Sequence, residues 1–371
     1  MHQLSWWQVE RRIRAACLAG MIAGVAIAAY EPTRAAMRPS MAAPNRVLLL
    51  YDMEGASGVL SGATMNPAQP DSFAIGRASV IDDVNAVVAG LFDAGVTRVD
   101  VENTHGAGGD SLVPRDRLDK RVNIVTRKGQ DPYVFGTPNL QQPGTWNEMP
   151  RPQYDAVVTV AMHDKPMSGG FSPHTMGGGI SPIIDGRAVT ETELVGYNFG
   201  TVGTPVIFAS GDDRLRATLA DAMPWLEYVV VKRITAPTIA TPLATDQVRR
   251  ALHDGAVRAV RIVAEPRGAR VMRLPPEFRA GLLPSYPLLL PPGIGSLPGM
   301  QKRGDTVTFV SKDYRSAFWG IFVLQRIAAA FSAERTFREL ALSRDSAVYT
   351  RAMDSVFVRA AAFEAGKWRP R

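Results

Sequence analysis

Between residues 46 and 235, short apolar runs alternate with segments of helical spacing, and this alternation limits the fold more than any other feature of the chain. RVLLLYD (46–52) is apolar without a break. A strand with one solvated face alternates apolar and polar residues, whereas an unbroken run fits a strand covered on both faces of a parallel sheet. VTRVDVEN (96–103), YDAVVTVAM (154–162), TPVIFASGDD (204–213) and LEYVVVKR (226–233) read as further strands. FAIGRASVIDDVNAVVAGLFDA (73–94) carries helical spacing, with Gly95 as its stop signal. ETELVGYNFGTVG (191–203) and RLRATLADAM (214–223) are helical as well. Such alternation predicts a layered α/β/α sheet domain over 46–235. Beyond 235 the pattern changes. DQVRRALHDGAVRAVRI (246–262) reads as a helix, the Pro-rich LLPSYPLLLPPGIGSLPG (282–299) as loop or edge structure, DTVTFVSKD (305–313) as a strand and YRSAFWGIFVLQRIAAAF (314–331) as an apolar helix. This predicts a smaller α+β C-terminal domain over 236–331 and a basic helical tail over 332–371.

The N-terminal 30 residues stand apart. Arginines precede a mostly apolar, small-residue stretch from Ala15 to Tyr30, and AIAA and SMAA offer small-residue cleavage sites. This is the layout of a signal peptide; left uncleaved, it would be an N-terminal anchor. A linker follows at 31–45, EPTRAAMRPSMAAPN. The protein is therefore expected to be exported, to the periplasm or outside the cell, with no stable membrane span once the segment is removed. Cys17 is the only cysteine, so an intrachain disulfide and a thiolate metal cluster are both excluded. The net charge is +7, but the basic residues are scattered and form no stripe interleaved with aromatics, so nucleic acid is not an expected partner.

In open α/β sheets, ligands bind beyond the carboxyl ends of the strands. The first strand ends in YDMEG, which places Asp52 and Glu54 two apart and so on one side of an extended chain. The second ends in VENTHG and delivers His105, and the third in VAMHDK and delivers His163. DGRAVTETELVG places Glu191 at a helix start. Each has an ordinary structural reading: a turn or cap for Asp52, a solvated acid for Glu54, hydrogen-bonded histidines, and a first-turn acid for Glu191. Glu193, Asp212 and Asp213 are neighbouring competitors. The convergence of two histidines and three carboxylates nevertheless suits a pair of zinc ions bridged by a carboxylate. A second histidine, His174, lies in HDKPMSGGFSPHTMGGG (163–179), where glycines on both sides suggest a mobile loop carrying a catalytic base.

YDMEGASG, ENTHG, MHDKPMSGGFSPHTM and GRAVTETELVGYN…GTPVIFASGDD together resemble the dinuclear-zinc D-aminopeptidase family, in motif order and in the interval between His163 and His174. The likeness runs from about 46 to 331. It implies Asp52, Glu54, His105, His163 and Glu191 as ligands of two Zn2+ ions per chain, with Asp52 bridging them, His174 as the catalytic histidine, and a homo-oligomer. The chain departs from the family pattern at Glu102-Asn103-Thr104-His105, where Asn-Asp-Ser-His is usual. It departs again at Ala161-Met162-His163-Asp164, in place of a Gly-Tyr-His-Ala type segment, and at Pro173 before the catalytic histidine.

The resulting expectation is a zinc-dependent aminopeptidase or amidohydrolase acting on small peptides, with D-amino-acid N-termini implied by the resemblance. Two alternatives stay open: a metallohydrolase for other amides or esters, and a non-catalytic metal-binding envelope protein.

Overall fold

A computed structural model describes residues 44–342 and residue 347, apart from 106–111, 126–132, 134–153, 178, 237–238, 266–267 and 285–287. The expected signal segment and most of the linker lie outside the described residues, as does the tail beyond 342 except for residue 347.

The strand elements are β1 (Arg46–Tyr51), β2 (Arg98–Asn103), β3 (Asn123–Ile124), β4 (Ala156–Met162), β5 (Ile180–Ile184), β6 (Arg187–Ala188), β7 (Val206–Asp212), β8 (Glu227–Ala236), β9 (Ile239–Pro242), β10 (Phe278–Pro284), β11 (Met300–Arg303) and β12 (Thr306–Ser311). The helices are α1 (Pro70–Asp93), α2 (Glu191–Gly200), α3 (Asp213–Ala222), α4 (Thr245–Val263) and α5 (Tyr314–Leu342). Seven strands form one sheet in the order β3-β2-β1-β4-β7-β8-β9, parallel throughout except for the β8–β9 hairpin. The chain leaves β1 toward β2 and β3, then returns to build β4, β7 and β8 on the other side. The strand order thus reverses between β1 and β4, the usual place for a ligand in such sheets.

The unbroken apolar run of β1 has its explanation here. Val47, Leu49 and Tyr51 enter one core, beneath α1 and α4; Leu48 and Leu50 enter a second core on the opposite face. Each alternate residue leaves water, at about 25 cal/mol per Å² of apolar surface. The second core is closed by α2, α3, α5 and a five-stranded antiparallel sheet, β11-β12-β10-β5-β6. The fold is mixed α/β, as expected, but one of its outer layers contains a sheet.

That second sheet draws β5 and β6 from before residue 235 and β10 to β12 from after it, while the β8–β9 hairpin spans that position. Sequence reading places 282–299 in a loop or at an edge, yet Leu282–Pro284 close β10, which lies between β12 and β5. Pro284 is tolerated because it is the last residue of the strand, where its missing N–H interrupts no further pairing.

Local signals act as the chemistry requires. Pro70 opens α1, and Gly95 follows its end at φ +96°. There the Gly95 N–H donates to Phe92 O and the Val96 N–H to Leu91 O, a Schellman end. Helix α5 is apolar enough in length and composition to cross a membrane. Its Tyr314, Ala317, Phe318, Ile321, Leu324 and Ala328 recur at helical spacing and are buried in the second core.

Candidate active site

All five expected ligands meet at the carboxyl ends of β1, β2 and β4 and the amino end of α2. Asp52 and Glu54 follow β1, and both contact the His105 ring, which follows β2: Nδ1 lies 3.1 Å from Asp52 Oδ1 and 3.0 Å from Glu54 Oε2. His163 follows β4, with Nε2 3.4 Å from Asp52 Oδ2 and 3.6 Å from Glu191 Oε2. Asp52 therefore faces both histidines, one through each oxygen. Asp52, Glu54, His163 and Glu191 are all buried.

The backbone that places them is tightly built. The Asp52 N–H donates to Val160 O and the Gly55 N–H to Ala161 O, which ties the turn after β1 to the end of β4. A Cβ at Gly55 would lie 1.9 Å from Met162 O, so only glycine fits. At the same place β4 bulges against β7, and Ala161 takes a left-handed φ of 59°. That conformation costs a non-glycine residue about 1–2 kcal/mol. The bulge turns the chain so that Met162 enters the second core and His163 reaches Asp52.

His174 is also brought in. Its ring stacks on that of His163 with centroids 3.9 Å apart and planes 14° apart. The loop between the two histidines is pinned rather than free. His174 N–H donates to Asp164 O, Phe171 N–H to Asp212 Oδ2, Met176 N–H to Glu191 Oε1 and Thr175 Oγ1–H to Val189 O. Met167, Ser172 and Met176 all hold positive φ without being glycine. In this structure the loop is thus bonded to Asp212 at the end of β7, to Val189 and Glu191 at the approach to α2, and to its own Asp164 carbonyl.

The competing acids have structural tasks. Glu193 closes a capping box with Thr190 at the start of α2 and pairs with Arg187. Asp212 caps α3 through the Arg214 and Leu215 N–H groups, Asp213 accepts the Ile234 N–H, and Asp164 accepts from Lys165 N–H and Thr218 Oγ1–H. The T-x-x-E pattern at Thr190 to Glu193 carries the signal for the first of these.

Two residues that sequence reasoning missed also belong here. Tyr133 is buried and donates its hydroxyl to Glu191 Oε2 at 2.6 Å. Lys232, on β8, is fully buried; its Nζ donates to the main-chain oxygens of Glu54, Ala56 (3.2 Å) and Val59 (2.7 Å). A lysine closing the apolar run YVVVK was the available signal for it. Burial alone pulls this amine down, to about 7, against the charges of Asp212, Asp83 and Glu54. The three carbonyl acceptors favour the ammonium, the form with three N–H donors.

The electrostatics describe a site that demands cations. Burial disfavours a charged His105, yet hydrogen bonds to Asp52 and Glu54 and their charges push it up to about 10. Burial likewise opposes protonation of His163, but the negative charges of Glu191 and Asp52 hold it well above the usual histidine range. Asp52 is held well below the usual carboxylate range by the His105 hydrogen bond and the His163 charge despite its burial, and Glu191 is lowered by His163 despite its own.

The donor set fits divalent metal. His163 Nδ1 bonds Asp164 O, which leaves Nε2 aimed at the carboxylates. Among the described residues, His105 Nε2 and His163 Nε2 are buried without a hydrogen-bond partner. Two ligands of one tetrahedral zinc, each about 2.0–2.1 Å from the ion, stand about 3.3 Å apart. The separations of His163 from Asp52 and Glu191 are close to that and too long for hydrogen bonds. Two trios have ligand atoms within 4.8 Å of one another: Asp52, Glu54 and His105, and His163, His174 and Glu191.

Residues 46–321 match the family model described as D-aminopeptidase. The chain belongs to the D-aminopeptidase family. Membership makes it a hydrolase of the aminopeptidase class. A D-aminopeptidase of Bacillus subtilis (strain 168) is 22% identical over 287 residues, which cover 76% of this chain and 97% of that protein. The solved structure of the Zn-dependent D-aminopeptidase DppA from Bacillus subtilis, described as a self-compartmentalizing protease, superposes with a TM-score of 0.64 at 20% identity. It covers 76% of this chain and 98% of the other. At that identity the likeness establishes a shared fold, and the family match establishes kinship.

Proposed function

We propose that the chain is a zinc-dependent aminopeptidase acting on small peptides with D-amino-acid N-termini. The observation that carries this reading is the buried convergence of Asp52, Glu54, His105, His163 and Glu191, with Asp52 facing both histidines. Asp52, Glu54 and His105 would hold one zinc, and Asp52, His163 and Glu191 a second. Bound there, zinc supplies the Lewis acid that polarises a scissile carbonyl and acidifies a water.

The remaining residues set up proton transfer. His174 Nδ1–H donates to Ser172 O, which leaves Nε2 free to take a proton and later to give it to a leaving amine. The stacking supports a base rather than a ligand. The His174 ring lies parallel to the His163 ring with centroids 3.9 Å apart, so His163 would hold the metal while His174 stands beside it to move a proton. Tyr133 holds Glu191 from one oxygen while the Met176 N–H holds it from the other. The self-compartmentalizing character of DppA supports a homo-oligomer, and the apolar segment from Ala15 to Tyr30 supports export to the periplasm or beyond.

A pair of substitutions tests the division of roles. His163→Ala should lower metal content and turnover together. His174→Ala should keep about two metal ions per chain and lower kcat by about 10² to 10⁴, assayed on D- and L-aminoacyl amides. Loss of metal in His174→Ala would make His174 a ligand. A parent protein that takes up no zinc would end the proposal.

A further inference from the structure

The site reading leaves Lys232 without a task, although it is among the largest fully buried side chains. Its surroundings are sorted by polarity. The turn after β1 gives three carbonyl oxygens to the ammonium, those of Glu54, Ala56 and Val59. Other groups of the same turn donate to α1. Ser57 donates through N–H and Oγ–H to Asp83 on α1 at 2.7 and 2.8 Å, and Gly58 N–H donates to Ser79 Oγ at 2.6 Å. The turn is thus closed around a cation that arrives from β8, 178 residues further along the chain than Glu54.

Lys232 also touches the other half of the site. The ring of Phe171 lies 4.3 Å from Nζ, a cation–π contact, and Phe171 belongs to the pinned loop that carries His174 three residues later. Phe171 is itself held through its N–H by Asp212, which is paired in register with Lys232 across β7 and β8. One ammonium therefore contacts the segment bearing Asp52 and Glu54 and the segment bearing His163 and His174.

We propose that Lys232 is a positioning residue that sets the Asp52–Glu54 turn against the His163–His174 loop, and so fixes the spacing of the two ligand groups. It touches neither substrate nor metal. It acts by giving the carbonyls of the turn a fixed cation, which leaves the Asp52 and Glu54 carboxylates to face His105. The inference rests on the proposed metal site.

The experiment measures zinc affinity by competition with a chromophoric chelator, in the full chain, for the parent, Lys232→Ala and Lys232→Met. Outer partners of metal ligands change affinity by about 10–100-fold. Lys232→Ala should lose affinity in that range. n-Propylammonium, which replaces the missing ammonium and most of its stem, should recover it, while n-propanol should not. A lysine that only satisfies buried carbonyls would give a different pattern: lower thermal stability with zinc affinity within about twofold of the parent. That result overturns the proposal. If Lys232→Ala does not fold, Lys232→Met keeps the stem without the charge and should show the same weakening. Failure of both to fold, with and without the amine, also counts against a positioning role. A parent that binds no zinc would instead overturn the metal site itself, so the two failures are distinguishable.

Discussion

Gly55→Ala gives the sharpest test of how the site is built. The added methyl would sit 1.9 Å from Met162 O and 2.4 Å from Ala161 C. Both are backbone atoms at the end of β4, so no flexible side chain can move aside. Ordinary contact needs 3 Å or more, so the turn and the strand must part by about 1 Å. Overpacking of this kind costs about 1–3 kcal/mol. The Gly55 N–H to Ala161 O bond, 2.8 Å long, lies at the same point, and its loss adds about 1 kcal/mol. The expected destabilisation is about 2–4 kcal/mol, or a fall in Tm of about 4–8 °C for a chain of this size. The displacement also moves Asp52 and Glu54 relative to His163, and a misplacement of about 1 Å can cost about 100-fold in rate. Gly62→Ala is the matched control: it lies seven residues away in a short 3-10 helix, at ordinary φ, with nothing within 4 Å of its Cβ position. It should change stability by less than about 1 kcal/mol in either direction. Calorimetry and turnover on both variants decide the matter. If Gly55→Ala melts and turns over like Gly62→Ala, the turn does not pack on β4 as described.

Two further outcomes follow from the electrostatics. His105 is raised from 6.5 to about 10 in the folded protein, so the stability it contributes is complete below pH 6.5 and is lost as pH rises through 10. Chelator-treated protein should therefore lose about 3–5 kcal/mol between pH 6.5 and 10.5 relative to a His105→Asn variant, measured by urea unfolding. With zinc bound the histidine must be neutral, and the loss should disappear; equal pH slopes with and without zinc would contradict the assignment. Tyr133→Phe removes the 2.6 Å hydrogen bond to Glu191 but keeps the Tyr133 carbonyl that accepts from Tyr314, so the fold should persist. Zinc affinity should fall about tenfold, and an unchanged dissociation constant would show that Tyr133 does not orient Glu191.

Much of this protein is written in local pattern. The run RVLLLY specifies a strand buried on both faces because consecutive residues of a strand point to opposite sides, and both sides here are apolar. Candidate ligands that follow strands, as His105 and His163 do, are legible because strand ends are legible. The spacing of Asp52 and Glu54 is local too. What the pattern could not supply depends on residues far apart in sequence. β10 looks like part of a Pro-rich loop until Ile180–Ile184 and Thr306–Ser311 lie on either side of it. The T-x-x-E pattern marks Glu193 for the Thr190 cap, but only the fold brings Tyr133 and Met176 to Glu191 and so holds it in the site. The glycines around His174 suggest freedom, but two acids that bond to that loop, Asp212 and Glu191, come from other elements. Lys232 shows the limit most plainly. A lysine at the end of a strand reads as a surface residue, because burying an ammonium is costly unless its partners are supplied. Here the partners are three carbonyls of a turn that precedes it by more than 170 residues, and only the tertiary fold brings them to it.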